Sequence, residues 1–153
     1  MRRLLFVTTF LLMLSIGCSR LMPQATPLPT PIALEESWSV KMTLSGGIAG
    51  LMRSIEVTSD GSYTFSDERA GRTITGEMEE SELKRLEGLL STLEINPPTG
   101  NSACADCFVY DIEIHSNGEM VTASADDLTL GDSGMGSLVQ FLQGMMNDTL
   151  KQQ

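Results

Sequence analysis

From Trp38 onward, apolar and polar residues alternate. Trp38, Val40, Met42 and Leu44 are separated by Ser39, Lys41 and Thr43, and after a glycine-rich turn Leu51, Arg53, Ile55 and Val57 repeat the two-residue period. That period predicts half-buried strands. Asp60-Gly61 is a tight-turn signal leading into a strand with Tyr63 and Phe65, and a loop through Ala70-Gly71 precedes a short strand from Arg72 to Glu77. The period then changes. Leu83, Leu86, Leu90 and Leu93 fall on one helical stripe with Leu89 beside it, while Glu82, Lys84, Arg85 and Glu87 face away. Glu79, Glu80 and Glu82 sit in or near the first turn, where carboxylates favour the helix dipole, and Asn96-Pro97-Pro98 is the expected stop. Phe108, Tyr110, Ile112 and Ile114 return to alternation, and Asn117-Gly118 predicts a type I′ turn into a strand from Glu119 to Ala125. Leu138, Phe141, Leu142, Met145 and Thr149 recur at helical spacing near the end of the chain. The order ββββαββα predicts an α+β fold: an antiparallel β-sheet of about six short strands with two helices packed on one face.

Ahead of this pattern lies a different kind of sequence. Arg2-Arg3 is followed by an uncharged, mostly apolar run from Leu4 to Ile16 and then by Gly17-Cys18. A basic start, a short apolar stretch and a small residue before the cut form a secretory signal. The run falls short of the roughly 20 residues a permanent membrane-spanning helix needs. Leu14-Ser15-Ile16-Gly17-Cys18 resembles a bacterial lipobox, with Ser15 where Leu or Val is more usual. The resemblance implies lipidation of Cys18, removal of residues 1–17 and an extracytoplasmic protein anchored by lipid to the cell membrane or outer membrane. Pro23, Pro27, Pro29 and Pro31 then crowd a short segment, which favours an extended polyproline tether. The expected organisation is a signal peptide over 1–17, a lipidated N-terminus and tether over 18–36, and one α+β domain over 37–153.

Composition narrows the function. The 153 residues carry 10 Lys+Arg against 20 Asp+Glu, a formal charge of −10. Losing Arg2 and Arg3 with the signal leaves 8 basic side chains against the same 20 acidic ones, or −12 on the mature chain. Such acidity disfavours nucleic acid, whose phosphates require Lys and Arg, and also docking through a basic patch to anionic lipid. Membrane contact is therefore expected from the lipid on Cys18 alone. Aromatic residues make up only 5%, so the core is expected to be aliphatic and rich in methionine.

The candidate chemistry is sparse. Cys104-Ala105-Asp106-Cys107 could be a redox pair, a metal half-site or a structural disulfide. A strand follows rather than a helix, so no dipole lowers either thiol pKa, and there is no second CxxC or His pair to complete a zinc site. In an oxidising compartment the structural disulfide is favoured. It would also explain the odd count of 3 cysteines, Cys18 being taken by lipid. His115, the single histidine, shares a strand face with Asp111 and Glu113 and lacks a nucleophile in context, which favours a solvated role. Asp126, Asp127 and Asp132 crowd one loop; calcium is conceivable there, but the spacing matches no EF-hand and a solvated loop is favoured. Asp132 or Ser133 is a candidate cap for the last helix. No catalytic residue, metal site or cofactor is expected.

Ser45-Gly46-Gly47-Ile48-Ala49-Gly50 remains. Its three glycines point to positive φ or to close approach of the backbone to something else. Such a loop is either a demanding hairpin connection or a segment presented to a partner with Ile48 as an apolar tip. This stretch, the Leu83-Leu86-Leu89-Leu90 helix and the hairpin ending in an amphipathic helix resemble emfourin-like proteins, small inhibitors of thermolysin-type (M4) zinc metallopeptidases. The likeness runs over about residues 38–150 and includes Cys104-Ala105-Asp106-Cys107-Phe108 and Tyr110, which look like a lipoprotein branch of such sequences. The anchor and the cysteine pair depart from the small, cysteine-poor inhibitors. The resemblance implies a non-enzymatic inhibitor that occludes an M4-type metallopeptidase, with Ile48 filling the aliphatic pocket beside the zinc. The competing classes are a non-catalytic envelope module with another partner and a thiol oxidoreductase.

Overall fold

The computed structural model describes residue 34, residues 36–96 and residues 104–152. The signal sequence, Cys18, the proline tether and Pro97-Pro98 lie outside the described residues. Six strands, β1 (Trp38–Gly46), β2 (Leu51–Thr58), β3 (Ser62–Asp67), β4 (Arg72–Glu77), β5 (Phe108–Ser116) and β6 (Glu119–Asp126), form one sheet in the order β4-β3-β2-β1-β5-β6. Every neighbouring pair is antiparallel. Helices α1 (Glu80–Ser91) and α2 (Gly136–Lys151) complete the expected ββββαββα order. Among the described residues no helix is long and apolar enough to cross a membrane.

Register turns the alternating pattern into a core. One row across the sheet reads Ile74, Phe65, Ile55, Met42, Ile112 and Ala123, and the next reads Tyr63, Val57, Val40, Ile114 and Val121. Phe65, Ile55, Met42, Ile112, Val57, Val40 and Ile114 join Leu86 and Leu90 of α1 and Leu138, Leu142 and Met146 of α2 in one buried cluster. Each such side chain contributes about 1.5–3 kcal/mol by leaving water. The opposite face carries Ser39, Lys41, Thr43, Ser54, Glu56, Asp111, Glu113 and Thr122, and the register sets Lys41 between Glu56 and Glu113.

A third inner row departs from the apolar pattern. Leu44 and Tyr110 continue into Arg53, Asp67 and Arg72. Arg53 Nε donates to Asp67 Oδ2 at 2.8 Å, and Asp67 Oδ1 accepts from the Ala70 amide at 3.0 Å. The sheet therefore closes its open end with a buried carboxylate held by a guanidinium, not with another hydrophobe. Arg53 keeps its place in the alternation because its partner lies across the strand.

Both tight turns behave as their sequences require. Asn117 at φ 53° and Gly118 at φ 75° give the type I′ geometry that joins β5 to β6. In the β2–β3 turn, Asp60 Oδ1 accepts from Ser62 Oγ at 2.6 Å, Thr58 Oγ1 at 2.7 Å and the Ser62 amide at 3.0 Å.

The helices differ from expectation at their ends. Helix α1 stops at Ser91 with Thr92 as its cap, ahead of the expected Asn96-Pro97-Pro98 boundary. Ser91 Oγ bonds the Glu87 carbonyl at 2.7 Å and Thr92 Oγ1 bonds the Gly88 carbonyl at 2.8 Å, so hydroxyls engage the last-turn acceptors before the prolines are reached. Leu93 still reaches the core, from beyond the helix. Neither Asp132 nor Ser133 caps α2, whose N-cap is Met135 without a side-chain bond. Ser133 Oγ instead accepts from the Met135 amide at 3.1 Å, ahead of the helix's own first turn. The buried stripe of α2 is Leu138, Val139, Leu142, Met146 and Thr149. Phe141 and Met145 are half-buried at the margin of this core, and the Arg85 guanidinium of α1 stands 5.3 Å from the Phe141 ring centroid.

The carboxylates at the two turns make acid sensitivity readable. Bonds from Ser62 and then Thr58 lower the Asp60 pKa to about 2, and the Arg53 hydrogen bond followed by the Ala70 amide lowers that of Asp67. A depressed native pKa stabilises fully above the unfolded value of about 3.9 and is lost as pH falls through the native value. Stability to urea is therefore expected to hold from pH 7 to about 5 and to fall between about pH 4 and 2. Asp67→Asn should be less stable at pH 7 and fall less steeply. A mutant losing as much stability as the wild type over that interval would contradict this account.

Candidate functional site

The β1–β2 connection leaves the sheet at Gly46 and re-enters at Leu51. Gly46 (φ 90°), Gly47 (φ 67°) and Gly50 (φ 57°) all lie in the left-handed region that side chains disfavour. The Gly50 amide closes a turn on the Gly47 carbonyl at 2.8 Å. Ile48 projects from this turn and is 92% exposed.

Each flank of the loop is braced by a different part of the chain. On the β5 side the Gly47 amide donates to the Cys107 carbonyl at 3.0 Å. A Cβ on Gly46 would stand 2.5 Å from that same oxygen, and a Cβ on Gly47 would enter the Phe108 ring. These glycines are thus required by close approach as well as by φ. On the other side, Arg69 in the β3–β4 turn donates to the Ala49 carbonyl and, at 2.9 Å, to the Gly50 carbonyl. That turn is itself held by the Ala70 amide on Asp67 and by the Glu68 amide on the Met52 carbonyl at 3.0 Å. The Arg53–Asp67 pair therefore supports the guanidinium that grips the loop.

Cys104 and Cys107 lie at disulfide distance, with Cα atoms 5.5 Å apart. So small a ring contributes about 2 kcal/mol in the chain-entropy picture. Neither cysteine stands at a helix N-terminus; β5 begins at Phe108. The pair fixes the segment whose carbonyl receives Gly47.

Phe108 also anchors a second loop. Its amide donates to Asp127 Oδ2 at 2.8 Å, and its carbonyl accepts from the Asp127 amide at 3.2 Å. The Tyr110 hydroxyl donates to Asp127 Oδ1 at 2.8 Å, and burial followed by this bond raises the Tyr110 pKa. Asp126 Oδ1 accepts from the Leu128 amide, the Thr129 amide and the Thr129 hydroxyl, all within 3.0 Å. The carboxylates considered for calcium thus act as loop acceptors. Asp132 is exposed, and among the described residues no three ligating side chains converge. His115 is exposed on the outer sheet face opposite Ser39 and Met120, away from the loop.

The structure thus brings Ser45 to Gly50 together with Cys104 and Cys107, and separates them from His115. Arg69 is not legible as a site residue, and Asp127 is legible only as one of three carboxylates crowding a loop, not as the acceptor that ties that loop to Phe108 and Tyr110. Arg69 lies in an ordinary turn sequence, and only the folded sheet brings its guanidinium to a loop 20 residues earlier.

Two measurements check the bracing. Gly46→Ala should cost about 3 kcal/mol, because strain and collision with the Cys107 carbonyl act together, whereas Gly71→Ala should cost about 1 kcal/mol. Gly71 has φ 61° but nothing within 4 Å of its Cβ position, so equal losses in urea unfolding would contradict the close-approach account. Reduction of Cys104–Cys107 should speed hydrogen exchange of the Gly47 amide by about tenfold or more while amides within β5 keep their protection. An unchanged Gly47 rate would show that the cysteine pair does not brace the loop.

No protein-family model and no curated protein sequence matches the chain.

Proposed function

We propose that this protein is a lipid-anchored extracytoplasmic inhibitor of thermolysin-type zinc metallopeptidases, acting by lodging Ile48 in the active-site cleft. The observation that carries the reading is an isoleucine 92% exposed at the tip of a loop held on both flanks. An exposed aliphatic side chain on a fixed support suits a concave apolar pocket. Full burial of one such side chain contributes about 1.5–3 kcal/mol, and a loop ordered before binding loses little entropy on docking.

The same geometry explains why the loop would resist cleavage. Peptides bound along a cleft or sheet edge adopt an extended backbone whose amides and carbonyls pair with the host. Here the Gly47 amide is engaged by Cys107 and the Ala49 and Gly50 carbonyls by Arg69. Gly47 and Gly50 at positive φ turn the chain away from an extended path. A pocket would receive a substrate-like side chain without an extended scissile segment. The peptidase class comes from the resemblance of residues 45–50 and the surrounding pattern to emfourin-like inhibitors. The lipid anchor rests on the lipobox at Cys18, and the tether would hold the acidic domain off the membrane.

The mature chain, kept in detergent, should inhibit thermolysin cleavage of a short peptide substrate at micromolar concentration or below. Ile48→Glu should weaken inhibition by about a hundredfold or more, since a carboxylate is costly to bury in an apolar pocket. Absence of inhibition by the wild type would remove the peptidase assignment and favour an envelope module with another partner. Equal inhibition by Ile48→Glu would remove the role of Ile48.

A further inference from the structure

Four large hydrophobic side chains are exposed among the described residues: Ile48 at 92%, Leu128 at 68%, Met120 at 60% and Met52 at 37%. Scattered exposed hydrophobes are ordinary on a protein surface. Their placement here is uneven. Met120 lies beside the Asn117-Gly118 turn, at the end of the sheet where β1 begins. Ile48, Met52 and Leu128 lie at the other end, where β1 runs out, β2 begins and β6 gives way to the loop before α2.

Leu128 and Ile48 are also tied to the same residue. The ring of Phe108 backs Gly47, next to Ile48, while the amide and carbonyl of Phe108 both bond Asp127, next to Leu128. The Tyr110 hydroxyl holds the other oxygen of Asp127, and the Leu128 amide bonds Asp126 Oδ1 at 3.0 Å. From β1 across β5 to β6 is two strand spacings, about 10 Å, so the two loops leave the same end of the sheet within the span of the roughly 800 Å² a partner covers in an ordinary interface. Each side chain is carried by a loop with several backbone groups already engaged, and the two loops share one support.

We infer that Leu128 is a second contact point for the partner of Ile48: while Ile48 enters the cleft, Leu128 rests on an apolar stretch of the rim beside it. This rests on the inhibitor reading above. Two apolar contacts held at a fixed separation select a partner whose pocket and rim match that spacing, so Leu128 would govern which peptidase is recognised while Ile48 supplies the inserted group. Leu128 emerges from a turn, is 68% exposed and belongs to neither the buried cluster nor the side chains packed against it, which leaves most of its surface available for that contact.

The test uses the mature chain in detergent with thermolysin as the probe, comparing wild type, Leu128→Glu and Met120→Glu, each also examined by thermal melting and by hydrogen exchange at Gly47. Leu128→Glu is expected to weaken inhibition by about tenfold or more with wild-type melting and wild-type Gly47 exchange, and Met120→Glu to inhibit as the wild type does. Inhibition by Leu128→Glu equal to that of the wild type would overturn the second contact and leave the Ile48 reading in place. Weakening accompanied by faster Gly47 exchange would overturn it as well, because the effect would then act through the loop. Equal weakening by Met120→Glu would overturn it by showing a general effect of added charge. Wild-type protein that does not inhibit at all would overturn both readings together.

Discussion

β1 and β5 lie antiparallel over nine residues each, from Trp38 opposite Ser116 to Gly46 opposite Phe108. Core and site both depend on this pairing. Along its length it places Val40 beside Ile114 and Met42 beside Ile112, the central pairs of the inner face. At its end it brings Gly46 against the Cys107 carbonyl and Gly47 against the Phe108 ring so closely that a Cβ at either position would collide. A slip of one residue would turn the inner face outward and separate the Gly47 amide from the Cys107 carbonyl at the same time. Packing of the inner face therefore also fixes the geometry of the loop.

The polar end of the sheet completes the support. A buried ion pair is often a weak source of stability, because desolvation offsets the attraction. Here Arg53 and Asp67 have a second consequence. Asp67 also binds Ala70, which shapes the turn that carries Arg69 to the far flank of the loop. One flank rests on a cysteine-linked segment and the other on an electrostatic relay, and both originate in strands that face the core. The exposed tip is thus held from both sides at the end of the sheet, which is how a loop can be both solvent-facing and ordered.

Much of this was legible in the residues. The two-residue alternation locates β1, β2 and β5, the turns at Asp60-Gly61, Ala70-Gly71 and Asn117-Gly118 locate β3, β4 and β6, and the glycines of 45–50 mark a backbone under constraint. What escaped was what depends on partners distant in sequence. Arg53 counts as one more position of the alternation, and its partner Asp67, 14 residues away, gives no local signal. The end of α1 was assigned to prolines, whereas hydroxyls at Ser91 and Thr92 engage its last-turn carbonyls first. Phe141 and Met145 share the helical period with the core of α2, but they are only half-buried, and Val139 and Met146 complete the buried stripe. Asp126 and Asp127 read as part of a solvated loop at which calcium is conceivable, because sequence shows charge without its hydrogen-bond donors. Arg69 and Leu128 carried no local signal, since their neighbours are set only by sheet order.

The central claim is that the loop from Gly47 to Gly50 holds its bound-like shape before any partner arrives. Backbone amide relaxation by NMR on the free mature chain tests it directly. Order parameters for Gly47, Ile48, Ala49 and Gly50 close to those of the strands, about 0.85, are the predicted result. Values below about 0.6 across those residues would show a loop that orders only on binding, and would contradict the account.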